Sequence, residues 1–469
     1  MMNEINVRAN KESFLADLAT LIAIPSTKDA SQAKEGAPFG PGPLAALEKV
    51  LEFGKRDGFR TKLLQGYAGY IEYGPEDAED YIAVLGHVDV VPATGKWSHD
   101  PFTAYVEDGT LYARGAIDDK GPTMAAYYAL KALKDAAVPV KHRIRLVIGS
   151  DEESGCECME KYNELEPMSL FGFAPDAEFP LIFAEKGQIR AWIKLPQQAG
   201  DASVHLAAFY SGERINMVPD HAYAVLSGPE AEKWSEKAQA ELTAKNIPFA
   251  VERIEEGIKL TAKGKSYHGS VPSGGVNAAF LLAKALKDLP LIPTEQGFID
   301  LLADTLYNDF AGERLGIKFH DDVSGDLTVN VGVVRFSAEG GTVSLDIRCP
   351  IKASLSELSA TLRESVEKLG LSISELGTSD PLYMDPKHPA VQILKTVYEK
   401  HMGLNNVELL TSGGGTYAQY LDAGVAFGAC MPNYPYTGHE VDEHVRVEDL
   451  FVASEIYADA MAELGNLEK

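Results

Sequence analysis

Leu85-Gly86-His87-Val88-Asp89-Val90-Val91-Pro92 follows directly on an apolar run that begins at Tyr81. A short apolar run that ends in polar residues is typical of a buried strand, and the proline ends regular pairing. Residues two apart project from the same side of a strand, so His87 and Asp89 share a face. A metal-binding histidine needs its second ring nitrogen held by a carboxylate or carbonyl, which this pair could provide. The pair by itself is a weak signal for a metal site, and the carboxylates that follow strengthen it.

The chain around this stretch alternates strands with helices. Strands are predicted over 68–73, 81–85 and 143–149, and a helix over 123–135. Polar residues follow the predicted strands, which is the pattern of an open α/β sheet. Ligands bind beyond the carboxyl ends of the strands in such sheets, so we expect these polar residues at one edge.

The pattern changes near residue 186, where short strands alternate with helical segments. At 469 residues the chain exceeds the roughly 250–300 residues that a single core serves, so two domains are expected. We predict a discontinuous catalytic domain over 1–185 and 384–469. The segment 186–383 is predicted to be an inserted α+β domain with two similar halves.

Composition limits the class of partner. The net charge of −26 argues against nucleic acid or an anionic membrane surface, because both need basic patches. No signal peptide is visible, and no apolar run approaches the ~18–20 residues of a membrane span. The four cysteines show no disulfide framework, which fits a reducing cytoplasm: Cys156, Cys158, Cys349 and Cys430.

Five candidate metal ligands lie at or just beyond predicted strand ends: His87, Asp118, Glu153, Asp176 and His439. Nitrogen and carboxylate ligands suit zinc, manganese or cobalt. Two ions could bind if one carboxylate bridged them. The neighbouring pair Glu152-Glu153 allows one carboxylate to bind metal while the other stays free as a general base. The alternative is that these residues are solvated loop acids, as most Asp and Glu are.

At this point a resemblance becomes clear. The sequence resembles the co-catalytic zinc peptidase and deacylase family that includes aminoacylase and glutamate carboxypeptidase, and within it the PepV-type Xaa-His dipeptidases. The resemblance spans most of the chain, and its motifs are specific in combination. They are GHVDVVP (86–92), RG (114–115), DDKGP (118–122), DEE (151–153), APDAE (174–178), GKSYHGSVP (264–272), GGGT (413–416) and GHE (438–440).

The resemblance implies an α/β catalytic domain, with a central mixed sheet between helices, that holds two metal ions. It implies that His87 and Asp176 bind one ion and that Glu153 and His439 bind the other. Asp118 would bridge them, with a cis peptide after it. Asp89 would be the partner of His87, and Glu152 the general base that activates the attacking water.

The inserted domain would act as a lid over the substrate. His268 and Asn216 match lid residues that assist the developing oxyanion. Arg348 and the Gly413, Gly414 and Gly415 loop would hold the substrate's terminal carboxylate. A doubled lid of this length implies a monomer, because His268 would then act within its own chain.

The resemblance implies a metal-dependent dipeptidase for unmodified dipeptides, with Zn²⁺ as the expected ion and Mn²⁺ or Co²⁺ as alternatives. A deacylase of N-acyl or N-succinyl amino acids would use the same metal centre. A non-catalytic homologue that binds peptide or metal is a third reading, but it would be expected to lack Glu152 or a ligand. Every motif position in this sequence is filled.

Overall fold

The computed structural model describes residues 5–196, 198 and 200–468, and the chain forms two compact units. The first unit runs to Ala184, returns over Leu382–Thr411 and continues from Gly415. The second comprises Glu185–Pro381 and Ser412–Gly414. The sequence analysis assigned Ser412–Gly414 to the catalytic domain, so the structure corrects that assignment. Ser412–Gly414 contacts residues that are distant in the sequence, such as Arg348, and no local sequence pattern predicts such contacts.

The chain as far as Glu185 forms four helices and nine strands within the described residues. The helices are α1 (Lys11–Ile22), α2 (Pro41–Arg56), α3 (Lys120–Asp135) and α4 (Glu157–Leu165). The strands are β1 (Arg60–Leu64), β2 (Ala68–Tyr73), β3 (Tyr81–His87), β4 (Tyr105–Glu107), β5 (Thr110–Tyr112), β6 (Arg143–Gly149), β7 (Phe171–Ala174), β8 (Ala177–Glu178) and β9 (Ile182–Glu185). Helix α3 begins three residues before the predicted start, because Pro122 is tolerated in a first turn that needs no N–H from it.

The second unit contributes four helices and twelve strands to the described part of the chain. The helices are α5 (Ala231–Ala244), α6 (Ala278–Leu286), α7 (Pro293–Asp300) and α8 (Leu355–Lys368). The strands are β10 (Gly187–Pro196), β11 (His205–Ser211), β12 (Met217–Val218), β13 (His221–Ser227), β14 (Phe249–Ile254), β15 (Gly257–Lys263), β16 (Tyr267–His268), β17 (His320–Asp321), β18 (Gly325–Asp326), β19 (Thr328–Ser337), β20 (Gly340–Cys349) and β21 (Ser372–Ser379).

The returning chain adds helices α9 (Pro389–Met402) and α10 (Val447–Leu464), with strands β22 (Leu382–Tyr383), β23 (Leu410–Ser412), β24 (Gly424–Ala426), β25 (Ala429–Cys430) and β26 (His444–Arg446). Strands β24 and β25 are two short strands close together in the chain. They are interrupted at Gly428, which has a positive φ of 72°. A Cβ at Gly428 would lie 2.2 Å from the Phe179 ring, so only glycine fits this turn.

The first unit is built on a nine-stranded mixed sheet in the order β1-β2-β6-β3-β7-β24-β9-β22, with β23 paired to β9. Strand β3 runs parallel to both β6 and β7, and all seven of its residues are buried. A strand buried on both faces requires the near-continuous apolar run that precedes His87. The hydrophobic core between sheet and helices includes Phe14, Tyr128, Phe173 and Tyr457.

The second unit has an eight-stranded antiparallel sheet in the order β14-β15-β13-β11-β19-β20-β10-β21. Read from the central β11–β19 pair outward, both halves share one plan. In each, two neighbouring antiparallel strands lead into a helix and then an edge strand, as β11-β13-α5-β14 and β19-β20-α8-β21. The remaining strand lies inside each edge, β15 on one side and β10 on the other. This order gives the predicted α+β unit its two similar halves.

Within the described residues, no helix combines the length and the apolar character that crossing a bilayer requires.

Candidate di-metal active site

The carboxyl ends of three strands bring the candidate metal ligands of the first unit to one edge of its sheet. Strands β3 and β6 pair in parallel with His87 opposite Gly149, three residues before Glu152. Strand β7 pairs in parallel with β3 on the other side and ends two residues before Asp176. Parallel neighbours end at the same edge, so His87, Glu152 and Asp176 converge.

Two groups of three residues could each hold a metal ion. One comprises His87, Glu152 and Asp176, and the other Asp118, Glu153 and His439, and within each group the ligand atoms lie within 4.8 Å of one another. All five predicted ligands are therefore brought together. The first group also contains Glu152, which the sequence analysis reserved as a general base.

Asp118 directs one oxygen toward each histidine. Its Oδ1 lies 3.2 Å from His87 Nε2, and its Oδ2 lies 3.0 Å from His439 Nε2. The peptide between Asp118 and Asp119 is cis. A carboxylate that bridges two ions must face a ligand of each, and Asp118 has this placement.

The residues present fit divalent ions. The buried Nε2 of His87 makes no hydrogen bond to any described residue, although Asp118 Oδ1 and Asp176 Oδ2 lie at 3.2 and 3.6 Å. The Nδ1–H of His87 donates to the main-chain oxygen of Asp89 at 3.0 Å. This bond leaves the Nε2 lone pair directed into a cluster of carboxylates, as a metal ligand requires. Imidazole with carboxylate ligands suits zinc or manganese.

Asp89 lies beside the His87 ring, and its main-chain and carboxylate oxygens have different partners. The main-chain oxygen of Asp89 holds His87, while its carboxylate oxygen Oδ1 lies farther from Nδ1, at 3.4 Å. The carboxylate accepts the main-chain N–H groups of Glu152 and Glu153, each at 3.1 Å. Asp89 thereby joins β3 to the turn that carries both glutamates.

The electrostatics of the cluster follow from burial and close charges. Burial raises the pKa of Glu152 well above its ordinary value and raises the pKa of Glu153 to about 7. Burial lowers the pKa of His439, but the carboxylates of Asp118 and Glu153 outweigh it and raise the pKa to about 11. Without bound ions, the cluster therefore holds protons that metal ligands must lose.

Sequence reasoning missed several residues that support this cluster. The Tyr436 hydroxyl donates to Asp118 Oδ2 at 2.7 Å. Asp119 Oδ2 accepts the His87 main-chain N–H at 3.0 Å and the Thr123 hydroxyl at 2.8 Å. The available signal for Asp119 was its place beside Asp118 in the DDKGP motif, whereas a tyrosine three residues before a histidine is no recognised pattern.

Three of the residues predicted to assist or bind the substrate lie close together within the second unit. Arg348 Nη1 donates to the main-chain oxygen of Gly413 at 3.1 Å. A Cβ on Gly413 would lie 3.1 Å from Ser270 Cβ, and the Ser270 hydroxyl is 2.7 Å from His268 Nδ1. Asp346 orients Arg348, since its Oδ2 accepts from Nε and Nη2 at 3.2 and 3.0 Å.

The remaining residues predicted to assist or bind the substrate are Asn216, Gly414 and Gly415, and they do not all lie in the same unit. Asn216 lies beside the His268 turn, where its main-chain oxygen accepts the Gly269 N–H at 2.7 Å. The N–H of Gly414 donates to the Ser412 hydroxyl at 2.9 Å, so this group is already engaged. Gly415 belongs to the first unit, which divides the predicted glycine loop between the two units.

Comparison with known proteins now identifies the family. The profile of peptidase family M20/M25/M40 matches residues 83–463. The chain belongs to this family. YtjP of Bacillus subtilis (strain 168), provisionally named a dipeptidase, is 41% identical over 466 residues, which is 98% of this chain and 99% of YtjP. A Staphylococcus aureus (strain USA300) protein, also provisionally named a dipeptidase, is 39% identical over 98% of each chain.

Solved structures of the same family share the fold. The dipeptidase Dug1p of Saccharomyces cerevisiae superposes with a TM-score of 0.61 at 13% identity, over 98% of this chain and 97% of Dug1p. Human carnosine dipeptidase 1 gives a TM-score of 0.60 at 13% identity, over 98% of each chain. At such low identity these likenesses show the M20 peptidase fold and nothing finer.

Proposed function

We propose that this M20 peptidase is a metal-dependent dipeptidase that hydrolyses unmodified dipeptides. The observation that carries the proposal is the pair of ligand groups with Asp118 facing the histidine of each. Relatives about 40% identical along nearly their whole length are provisionally named dipeptidases, which favours this substrate class. We propose Zn²⁺ as the working ion, with Mn²⁺ or Co²⁺ as alternatives.

Glu152 is the proposed general base. Two bound ions would supply Lewis-acid polarisation of the carbonyl and acidify a water molecule. Glu152 then accepts the proton of the attacking water and delivers it to the leaving amine. In the metal-free protein, burial raises the pKa of the Glu152 carboxyl, which favours its protonated form. Glu153, its neighbour, is left to bind metal.

The second unit supplies the proposed substrate contacts. His268 and Asn216 are proposed donors to the developing oxyanion, where one preorganised donor is worth roughly 3–4 kcal/mol. Arg348 is proposed to bind the terminal carboxylate together with the loop of Gly413, Gly414 and Gly415. Its guanidinium is held in place by Asp346, whose other oxygen accepts from Gln188 Nε2 at 2.7 Å. A rigid planar fork suits a carboxylate.

We propose that the protein acts as a monomer in the cytoplasm. The two similar halves of the second unit support the proposal of a monomer, since one chain then carries both halves of a doubled lid. The four cysteines have no disulfide partner, which supports the proposal of a cytoplasmic location.

The test is an assay of metal-stripped protein resupplied with zinc, manganese or cobalt. Dipeptides and N-acetyl amino acids are offered in parallel. We expect metal-restored cleavage of dipeptides and a loss of about 10²–10⁴ in kcat for Glu152→Gln. The surface variant Glu160→Gln is the matched control and should keep its rate.

Metal content of each variant is measured alongside. Cleavage only of acylated substrates would replace the dipeptidase proposal with the deacylase. A Glu152→Gln protein that has lost metal along with its activity would make Glu152 a ligand rather than a base. No turnover of either substrate with both ions bound would leave a binding protein.

A further inference from the structure

Glu443 is fully buried, and its carboxylate serves the loop that carries Asp118. Its Oε1 accepts the main-chain N–H groups of Ile117 and Asp118 at 3.0 and 3.2 Å. Its Oε2 accepts Nη1 of Arg114 at 2.5 Å, and both side chains of this ion pair are at most 3% exposed. The Glu443 carboxylate thus accepts hydrogen bonds from three donors at a site that is buried from water.

Glu443 also lies at the end of the loop that carries His439. Glu443 follows His439 by four residues, and its main-chain oxygen accepts the Ala113 N–H at 3.0 Å. Thr437 closes the loop, because its hydroxyl donates to the His444 oxygen at 2.9 Å and accepts the His444 N–H at 3.0 Å. The two ends of the loop that carries His439 therefore lie beside Glu443, whose carboxylate also binds the loop that carries Asp118.

We infer that Glu443 is a positioning residue that fixes the distance between Asp118 and His439, so that the ligand group of Asp118, Glu153 and His439 is preformed. The inference rests on the proposed metal centre. Glu443 ties the two loops together through Arg114 and two backbone donors, and it touches neither reacting atoms nor, in this structure, any ligand side chain. Loss of its charge leaves the buried Arg114 without its carboxylate partner, which such sites tolerate poorly.

The effect on metal binding is expected to be larger in one ligand group than in the other, although Asp118 faces both. His87, Glu152 and Asp176 are held by β3, β6 and β7 and by Asp89, whereas the hydrogen bonds of the Glu443 carboxylate go to Arg114, Ile117 and Asp118. In the group of Asp118, Glu153 and His439, loss of the Glu443 carboxylate removes the connection between the loops that carry Asp118 and His439. Supporting residues of this kind typically change metal affinity by about 10–100-fold.

The experiment measures zinc binding to metal-stripped full-length protein by equilibrium dialysis, with the thermal unfolding midpoint of the metal-free protein recorded for each variant. Glu443→Gln keeps the volume and the acceptor for the backbone donors. Glu72→Gln is the matched control, since Glu72 forms a buried ion pair of the same length, 2.5 Å, with Arg145 in the same unit. Glu443→Asp, which keeps the charge but shortens the side chain, serves if Glu443→Gln does not fold.

We expect Glu443→Gln or Glu443→Asp to weaken the binding of one of the two zinc ions by about tenfold or more and to weaken the binding of the other by a smaller factor, because Asp118 faces both ligand groups. Glu72→Gln should lower the unfolding midpoint and leave both affinities unchanged. Unchanged affinities in the Glu443 variants, or the same loss at both ions in Glu443 and Glu72 variants, would overturn the inference. So would a wild-type protein that binds no zinc. A wild-type protein that binds two ions but cleaves no dipeptide contradicts the proposed function alone.

Discussion

At the scale of the residue, Arg348 shows how neighbouring groups hold a charged side chain in one orientation. Its guanidinium is nearly buried and already makes three hydrogen bonds, two to Asp346 and one to Gly413. These partners fix the plane of the guanidinium, which the proposed role in carboxylate binding requires. Lysine could replace the charge but not the planar geometry.

Arg348→Lys is therefore expected to raise KM for dipeptides by about 10–100-fold, the range for losing a charged hydrogen bond of ~1.5–3 kcal/mol. Steady-state kinetics with a series of dipeptides measures this change. Arg190→Lys, at an exposed position of β10 in the same unit, is the control and should leave KM unchanged. An equal fall in kcat with KM unaltered would count against a role in binding the ground-state carboxylate.

Proton release on metal binding is a second consequence at this scale. The pKa of His439 is raised to about 11 and that of Glu153 to about 7, so at pH 7 the metal-free protein holds a proton on the first and part of one on the second. Both groups must lose these protons to bind metal. The release should be largest below pH 7 and should fall as the pH rises through the pKa of Glu153.

Calorimetric titration with zinc in two buffers of different ionisation enthalpy measures this release. We expect about one proton or more per protein at pH 7. His439→Ala should reduce the release, and His99→Ala, which lies outside both ligand groups, should not. A binding enthalpy that does not depend on the buffer would contradict the prediction.

At the scale of the element, short segments are held by single side chains. Asn330, on β19, donates its Nδ2–H groups to the main-chain oxygens of Ile215 and Met217, at 2.8 and 3.1 Å. These two residues flank Asn216, and Met217 pairs with His268 across β12 and β16. One buried amide thus anchors the turn where two proposed oxyanion donors meet.

Asn330→Ala should lower the free energy of unfolding by about 1–3 kcal/mol, because it removes two hydrogen bonds that a buried amide donates to main-chain oxygens. Asn466→Ala is the matched control, since Asn466 also bridges two main-chain oxygens but is exposed. We expect its effect to stay within about 0.5 kcal/mol. Denaturant unfolding measures the free energy of unfolding of both variants. A similar loss of stability in both would mean that burial of the Asn330 amide does not explain its effect.

At the scale of the whole molecule, each unit has its own hydrophobic core, and both ligand groups belong to the first. A ligand that binds only the folded state stabilises it by mass action. Zinc should therefore stabilise the unit that contains the ligands.

Calorimetric melting of metal-stripped and zinc-loaded protein tests this expectation. At a zinc concentration about 100 times the dissociation constant, the gain is about 2.7 kcal/mol per site. The transition assigned to the first unit should move to higher temperature. Asp176→Asn should reduce the shift, whereas the surface variant Asp322→Asn should keep it. An unchanged melting profile with zinc present would show that no ion is held by the folded unit.

The sequence by itself determined which residue types could meet at one sheet edge. The apolar run before His87 predicts a buried strand, and the same reasoning applies at Gly149 before Glu152. Strand ends bring side chains together whenever neighbouring strands are parallel, so candidate ligands could be chosen without knowing the sheet order. The family motifs then indicated which of them act together.

Only the tertiary structure decided how those side chains are held. Glu443 braces the Asp118 loop from 325 residues away, the Asp89 carboxylate binds the turn of Glu152 and Glu153, and Ser412–Gly414 belongs to the second unit. The physical reason is that a hydrogen bond depends on distances and directions set by packing among distant segments. Hydrophobic periodicity records which face of an element is buried, but it carries no information about which distant donor that face will meet.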